Sequence, residues 1–167
     1  MVSFDNGVVH GLLGSKAEDE IVRLAKANRA KDKRLQKLYG ITIETYSHML
    51  LMQDGVCAIC KHPPGTKSLS VDHDHKWKYY KIVVNQIADE RFIAKLGGCS
   101  APTYVSLRGH GSSKKEARDR LKGLLKRASV RGLLCFSCNG GLRKYRDNPE
   151  YLANAAEYLR RHQLGEF

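Results

Sequence analysis

Proline is scarce, with 4 residues in 167, and no stretch approaches the roughly 18 uninterrupted apolar residues that a membrane-spanning helix requires. The shortage of proline, with 15 glycines in no repeating period and 42% apolar residues, excludes a collagen-like fibre and a disordered tail. There is no internal repeat and no low-complexity tract. Acidic residues are few as well: 17 Asp and Glu face 29 Lys and Arg, a net charge of +12 that points to a polyanionic partner. The first residues, Met1 to Gly14, have no basic leader and place Asp5 and His10 inside the apolar run a leader would need. The expectation is a soluble cytoplasmic protein with no membrane partner, long enough for one compact domain with arms or insertions.

Five cysteines in a chain of this kind suit metal ligation better than a disulfide framework. Four form two pairs of identical spacing, Cys57–Cys60 and Cys135–Cys138. A single pair could be a redox motif. Two together complete the tetrahedral sulfur shell that Zn(II) prefers, with no position left open for chemistry. Zinc is therefore expected to be structural. Cys99, left over, is expected to be a small buried apolar residue.

Three parts follow along the chain. Residues 1–54 read as a helical arm: Ser15 to Glu18 is a capping box opening a basic helix to about Leu38, with Ile21, Leu24, Ala25, Leu35 and Leu38 as its stripe. That stripe suits packing on another surface, including another subunit. Gly40 stops the helix, and Thr42 caps a second one carrying Ile43, Tyr46 and Leu50 on one face. Residues 55–75 and 130–167 hold the cysteine pairs, short strands at 69–74 and 130–134, and a last helix begun by Asn148-Pro149-Glu150, with Leu152, Ala155, Ala156 and Leu159 expected as its buried stripe. Residues 76–129 form an insert between these halves. It opens with a strand over Tyr79 to Val84, continues in a helix expected from Asp89 to Leu96, and ends in a helix capped by Ser113 and Glu116 with Ala117, Leu121, Leu124, Leu125 and Ala128 on one face. Trp77 and the adjacent tyrosines are expected in a core, with base stacking as the alternative.

The last insert helix and its exit carry Lys114, Lys115, Arg118, Arg120, Lys122, Lys126, Arg127 and Arg131 against Glu116 and Asp119, half of the chain's excess positive charge. A solvated face would mix signs, so Lys114, Lys115, Arg118, Lys122, Lys126, Arg127 and Arg131 are expected to contact DNA phosphates.

Chemistry concentrates at Val71-Asp72-His73-Asp74-His75. Four consecutive ionisable residues cannot form a core, because unpaired burial costs several kcal/mol each. Asn139 adjoins the last cysteine. One carboxylate with one amide oxygen suits a hard cation such as Mg(II), or Mn(II) in its place, which keeps waters and takes a phosphate oxygen. His73 beside them titrates in the range needed to accept a proton from water. Regular strand alternation would send Asp72 and His73 to opposite faces, so the strand must break its geometry there for both to serve one site.

The blocks Tyr39-Gly40-Ile41-Thr42, Gly55 to Cys60, Val71 to His75, Val130 to Cys135, Cys138-Asn139, and Asn148-Pro149-Glu150 through Leu159, in this order, resemble the phage recombination endonuclease VII family of His-Me finger, HNH-like nucleases. The resemblance spans about residues 38–75 and 130–162. It implies an α+β fold: a zinc-stapled, treble-clef-like ββα-metal core with an N-terminal helical arm, an inserted α/β subdomain and a C-terminal helix. It also implies a Mg-dependent DNA endonuclease that nicks DNA or cuts branched DNA such as a Holliday junction, leaving 5'-phosphate and 3'-hydroxyl ends. By position, Asp72 and Asn139 would hold Mg(II), His73 would be the general base, and His75 would contact the phosphate or leaving group. A homodimer and the phage packaging machinery are the further partners it suggests, and the host cytoplasm the place of action. The chain departs from the family in two ways: residues 76–129 replace a tight hairpin, and Leu142 stands where some members carry an acid. The alternatives are a zinc-stabilised DNA-binding or phage assembly protein without catalysis, and a homing-type HNH nuclease.

Overall fold

The computed structural model describes residues 15–165, and the side chains of residues 19–165. The capping box expected at Ser15–Glu18 lies outside the described side chains. Eleven elements follow in order: helix α1 (Ser15–Tyr39), α2 (Ile43–Met52), strand β1 (Ser70–His73), a 3-10 turn (Lys76–Tyr79), β2 (Lys81–Ala88), β3 (Arg91–Gly97), β4 (Gly109–Gly111), α3 (Lys114–Ala128), β5 (Val130–Leu134), α4 (Phe136–Lys144) and α5 (Pro149–Leu164). The fold is α+β. Its strands form two separate antiparallel sheets, β1 with β5 and β2–β3–β4.

Two apolar cores correspond to the two sheets. The first gathers Leu35 of α1, Ile41, Tyr46 of α2, Cys57, Leu69, Val71, Leu133 and Leu134. The second gathers Trp77, Ala94, Leu96, Tyr104 and the α3 residues Ala117, Leu121 and Leu125. Trp77 is a core residue, whereas Tyr79 beside it is exposed. Where the insert leaves and re-enters the first core, the Asp74 N–H donates to the Ser129 carbonyl at 2.8 Å. That bond brings its two ends together, so residues 76–129 can be accommodated without parting β1 from β5.

The helix expected at Asp89–Leu96 is instead β3. Phe92, Ala94 and Leu96 alternate onto the second core, a period of two that suits a strand. Asp89 and Glu90 make the turn from β2, with Glu90 at a φ of +52°. Pairing with β2 along its whole length outweighs whatever helical tendency this segment has. Local signals held elsewhere: Thr42, Ser113 and Asn148 each accept a hydrogen bond from a first-turn amide of their helices.

Two apolar stripes are less covered than expected. In α5, Leu152, Ala155 and Ala156 are half-buried and Leu159 is 61% exposed; in α1, Ile21 and Leu24 are exposed and Leu35 alone is buried. Both helices extend past the first core, which is too small to cover them. Leu124 of α3 likewise sits at the edge of its stripe, and Cys99 is half-buried against the second core.

Gly109 shows how tightly β4 lies on α3. A Cβ there would sit inside the van der Waals envelope of the Ala117 carbonyl oxygen and the Leu121 amide nitrogen, both helix backbone. Gly109→Ala is expected to destabilise the protein by about 1–3 kcal/mol through overpacking. Gly123→Ala, on the open face of the same helix with nothing within 4 Å of the new Cβ, should stabilise it by about 0.5–1 kcal/mol. Urea denaturation of the two variants checks the opposite signs.

Candidate metal and nuclease site

The four paired cysteines meet at one point. Their sulfurs all lie within 4.8 Å of one another, and Cys60 Sγ and Cys135 Sγ are 3.9 Å apart. A tetrahedral Zn(II) with sulfurs at about 2.3 Å needs sulfur pairs about 3.8 Å apart, so the geometry fits the ion. Cys57 is fully buried in the turn after α2, where Lys61 N–H donates to its carbonyl. Cys135 caps α4, its sulfur accepting from the Cys138 amide at 3.4 Å. Burial pushes the Cys57 thiol up, but the amides of Cys135, Cys60 and Ile59 outweigh it and bring the group down to about 6. Cys138 is pushed up to about 12 by burial and by the neighbouring sulfurs. One thiolate is thus favoured, and a divalent cation would draw in the rest.

The second site is a cleft of about 400 Å³ lined by Tyr39, Asp72, His73, His75, Arg131, Phe136, Asn139, Arg143 and Asp147. It brings together every residue that the sequence reading placed in the catalytic group. The β1–β5 ladder explains how adjacent residues reach one cleft. Asp72 pairs with Gly132 and His73 with Val130, so Arg131 is an extra residue on β5 and the register shifts between Asp72 and His73. Asn139 enters from α4, one turn after the capping Cys135, whose carbonyl accepts its N–H at 3.0 Å. The cysteine cluster therefore sets the position of Asn139 as well as the fold.

His73 stacks edge-on between Tyr39 and His75, with ring centroids 5.0 and 4.2 Å away. Burial lowers its pKa below the ordinary histidine value; the positive charges of His75 and Lys78 add to this, and Asp72 opposes it. The imidazole is held neutral at pH 7, free to accept a proton. Asp72 and Asn139 offer one carboxylate and one amide oxygen to the same cleft, a donor set that fits a hard cation completed by water or phosphate.

Arg131 behaves differently from the other cations expected at phosphates. Its Nε and Nη2 donate to the two oxygens of buried Asp72 at 2.8 and 2.9 Å, and Nη2 lies 3.3 Å from Asp147. The bulge turns the side chain onto the Asp72 carboxylate. Each Asp72 oxygen keeps a lone pair for another partner. Arg131→Ala is expected to cost about 1–3 kcal/mol, because Asp72 would stay buried without its donors; thermal melting in metal-free buffer measures it. Lys126 and Arg127 are also engaged, with the Lys37 and Gly40 carbonyls at the end of α1, whereas Lys114, Lys115, Arg118 and Lys122 are exposed on α3.

Three participants were not anticipated. Asp147, in a left-handed turn, supports Arg131. Tyr39 packs on His73. Asp74 ties the insert to the core, accepting from the Tyr104 hydroxyl at 3.1 Å and the Lys76 amide at 2.8 Å. Burial, and then the Asp74 charge, push the Tyr104 phenol up to about 12. Of these three, Tyr39 carries a signal in the sequence, its place in the block Tyr39-Gly40-Ile41-Thr42. Leu142, next to the candidate site on α4, packs against the first core.

A four-cysteine cluster that could hold zinc, beside a cleft lined by an acid, histidines and an asparagine, characterises this α+β protein. The family model described as recombination endonuclease VII matches residues 32–161, and the chain belongs to that family. It is similar to the Gene 59 proteins of Mycobacterium phages L5 and D29, 42% identical over 55 residues in each case. That stretch is 32% of this chain and 34% and 33% of those proteins, so the chain spans about a third of the length of the curated relatives it matches. No solved structure matches it significantly. Among the described residues, no helix is long and apolar enough to cross a membrane.

Proposed function

We propose that the protein is a DNA endonuclease of the HNH, His-Me finger type that nicks DNA or cleaves branched DNA such as a junction. The observation that carries the reading is the convergence of Asp72, His73, His75 and Asn139 on one cleft across a strand bulge, in a chain of the endonuclease VII family. The strands β1 and β5 followed by α4 correspond to the ββα-metal arrangement, with residues 76–129 as a basic insert and the zinc cluster as its staple. Asp72 and Asn139 would hold Mg(II), which when bound supplies positive charge to the scissile phosphate and the departing oxygen. His73 takes the proton from the attacking water. His75, exposed at the rim, contacts the phosphate or the leaving group. Arg131 holds Asp72 in one orientation. The products would be 5'-phosphate and 3'-hydroxyl ends.

The cations of α3 would grip backbone phosphates with little sequence preference, so binding should weaken steeply with salt. Supercoiled plasmid, linear duplex and a four-way junction, each incubated with Mg(II) or EDTA, test the reading. Mg(II)-dependent cleavage with the junction preferred is expected. Binding without cleavage under any divalent cation would overturn it in favour of a non-catalytic DNA-binding protein, and a single preferred duplex sequence would favour a homing-type enzyme. Whether the chain works as a dimer or with phage packaging proteins would follow from the exposed faces of α1 and α5.

A further inference from the structure

We propose that a second pocket, on the other side of Tyr39 from the cleft, is a phosphate site that holds the DNA backbone beside the scissile bond. It lies between α1, α2 and the start of β1, has a volume of about 130 Å³, and is lined by Lys31, Arg34, Ser68 and Ser70 over an apolar floor that includes Tyr46 and Leu69. Tyr39 and Val71 line both this pocket and the cleft, so the two sites are separated by one side chain and one strand position.

The chemistry is that of an anion site. No carboxylate lines the pocket, and among the described residues neither Lys31 nor Arg34 has an ion-pair partner. The neighbouring Asp32 is engaged with the Ile43 amide and Gln36. Two uncompensated cations in one small concavity repel each other, and over low-dielectric walls their field is focused outward; an anion relieves both effects. The site is also built. The Lys31 ammonium sits 4.0 Å from the centre of the Tyr46 ring, and the Tyr46 hydroxyl, bonded to Ser68, donates to the Leu69 carbonyl at 2.8 Å. Lysine is thus held in place while its N–H donors stay available, the Ser70 hydroxyl adds a neutral donor, and arginine adds a planar fork suited to two phosphate oxygens.

A tetrahedral phosphate fits the volume, and the two cations favour it over an uncharged group. The source is taken as a backbone phosphate because the proposed nuclease cleft is adjacent; that part of the inference rests on the nuclease reading, while the anion site does not. A strand crossing the cleft would place a neighbouring phosphate across Tyr39.

The test uses the full chain with zinc present and EDTA omitted, in Ca(II) buffer, so that binding is read without cleavage. Four-way junctions, whose branch point fixes the register of binding, carry one neutral methylphosphonate at successive positions and are titrated by fluorescence anisotropy against wild type and Lys31→Gln/Arg34→Gln. For wild type, one position is expected to weaken binding about tenfold. In the double variant that same position should cost nothing further, and the slope of log K against log salt should become shallower by about 0.9 for the one lost phosphate. Lys33→Gln, exposed on the same helix but outside the pocket, should keep the positional effect. A uniform loss over all positions would overturn the proposal in favour of diffuse charge attraction. If the variant binds DNA like wild type yet no longer binds inorganic phosphate in a thermal-shift titration, the backbone assignment is overturned and the pocket serves a free phosphate. If wild type binds no DNA, the nuclease reading fails, and the phosphate titration still decides whether the pocket takes an anion.

Discussion

His73→Ala is expected to reduce Mg(II)-dependent strand cleavage by about 10²–10⁴-fold while leaving DNA affinity within about twofold. The size of the effect follows from the general-base role proposed for the side chain and from where it is held. Its ring is neutral at pH 7 because burial, and then the nearby Lys78 ammonium, disfavour the imidazolium. It is held edge-on between Tyr39 and His75, which restricts the ring to few orientations. A base fixed this way meets the attacking water without a conformational search, and alanine leaves a water-filled gap with no acceptor of comparable basicity. His75→Ala, at the exposed rim, should cost less. Single-turnover nicking of a labelled junction, with anisotropy on the same DNA, separates the chemical step from binding. Cleavage by His73→Ala within about threefold of wild type would remove His73 from the reaction.

Loss of the metal staple should have the largest effect on the fold. Structural zinc in small domains contributes about 10–16 kcal/mol of apparent binding free energy, comparable to or larger than the whole stability of an ordinary domain at about 5–15 kcal/mol. Here the first core has eight buried residues, one of them the candidate ligand Cys57, and two of the others, Leu133 and Leu134, lead directly into the second cysteine pair. The turn carrying Cys57 and Cys60 is otherwise joined to β5 by few bonds, among them the Ala58 amide to the Leu133 carbonyl at 3.1 Å and the Gln53 side chain bridging to Leu133. Cys57→Ser, or exhaustive chelation, is therefore expected to abolish the cooperative thermal transition of this core and to release Asn139 from the cleft. Elemental analysis should find one zinc per chain in the wild type. A melting temperature unchanged in Cys57→Ser, or less than one tightly bound zinc, would refute the ligand assignment.

Much of the site could be read from the residues because its signals are short-range. The two cysteine pairs each place both sulfurs within one turn, so their spacing alone indicates a metal shell. The caps at Thr42, Ser113 and Asn148 act within three residues of themselves, and the strand break at Asp72 and His73 follows from the period of two. The segment from Asp89 to Leu96 alternates at Phe92, Ala94 and Leu96, yet so short an apolar run suits either period until a pairing partner is present; β2 decides it. The stripes of α1 and α5 are legible as apolar, but among the described residues the first core covers only part of them.

What the sequence determined by itself, then, is the chemistry available: four thiols, an acid, histidines, an amide, and an excess of cations concentrated on one helix. Tertiary structure alone decided how these are used. It turned Arg131 from a free cation into the partner of Asp72 and Asp147, made Asp74 the tie between core and insert through Tyr104, and set Lys31 and Arg34 around a pocket one side chain from the cleft. Each of those roles depends on contacts between residues far apart in the chain. Such contacts are set by the bulge on β5 and the closure of the insert at Asp74 and Ser129, and no local propensity encodes them.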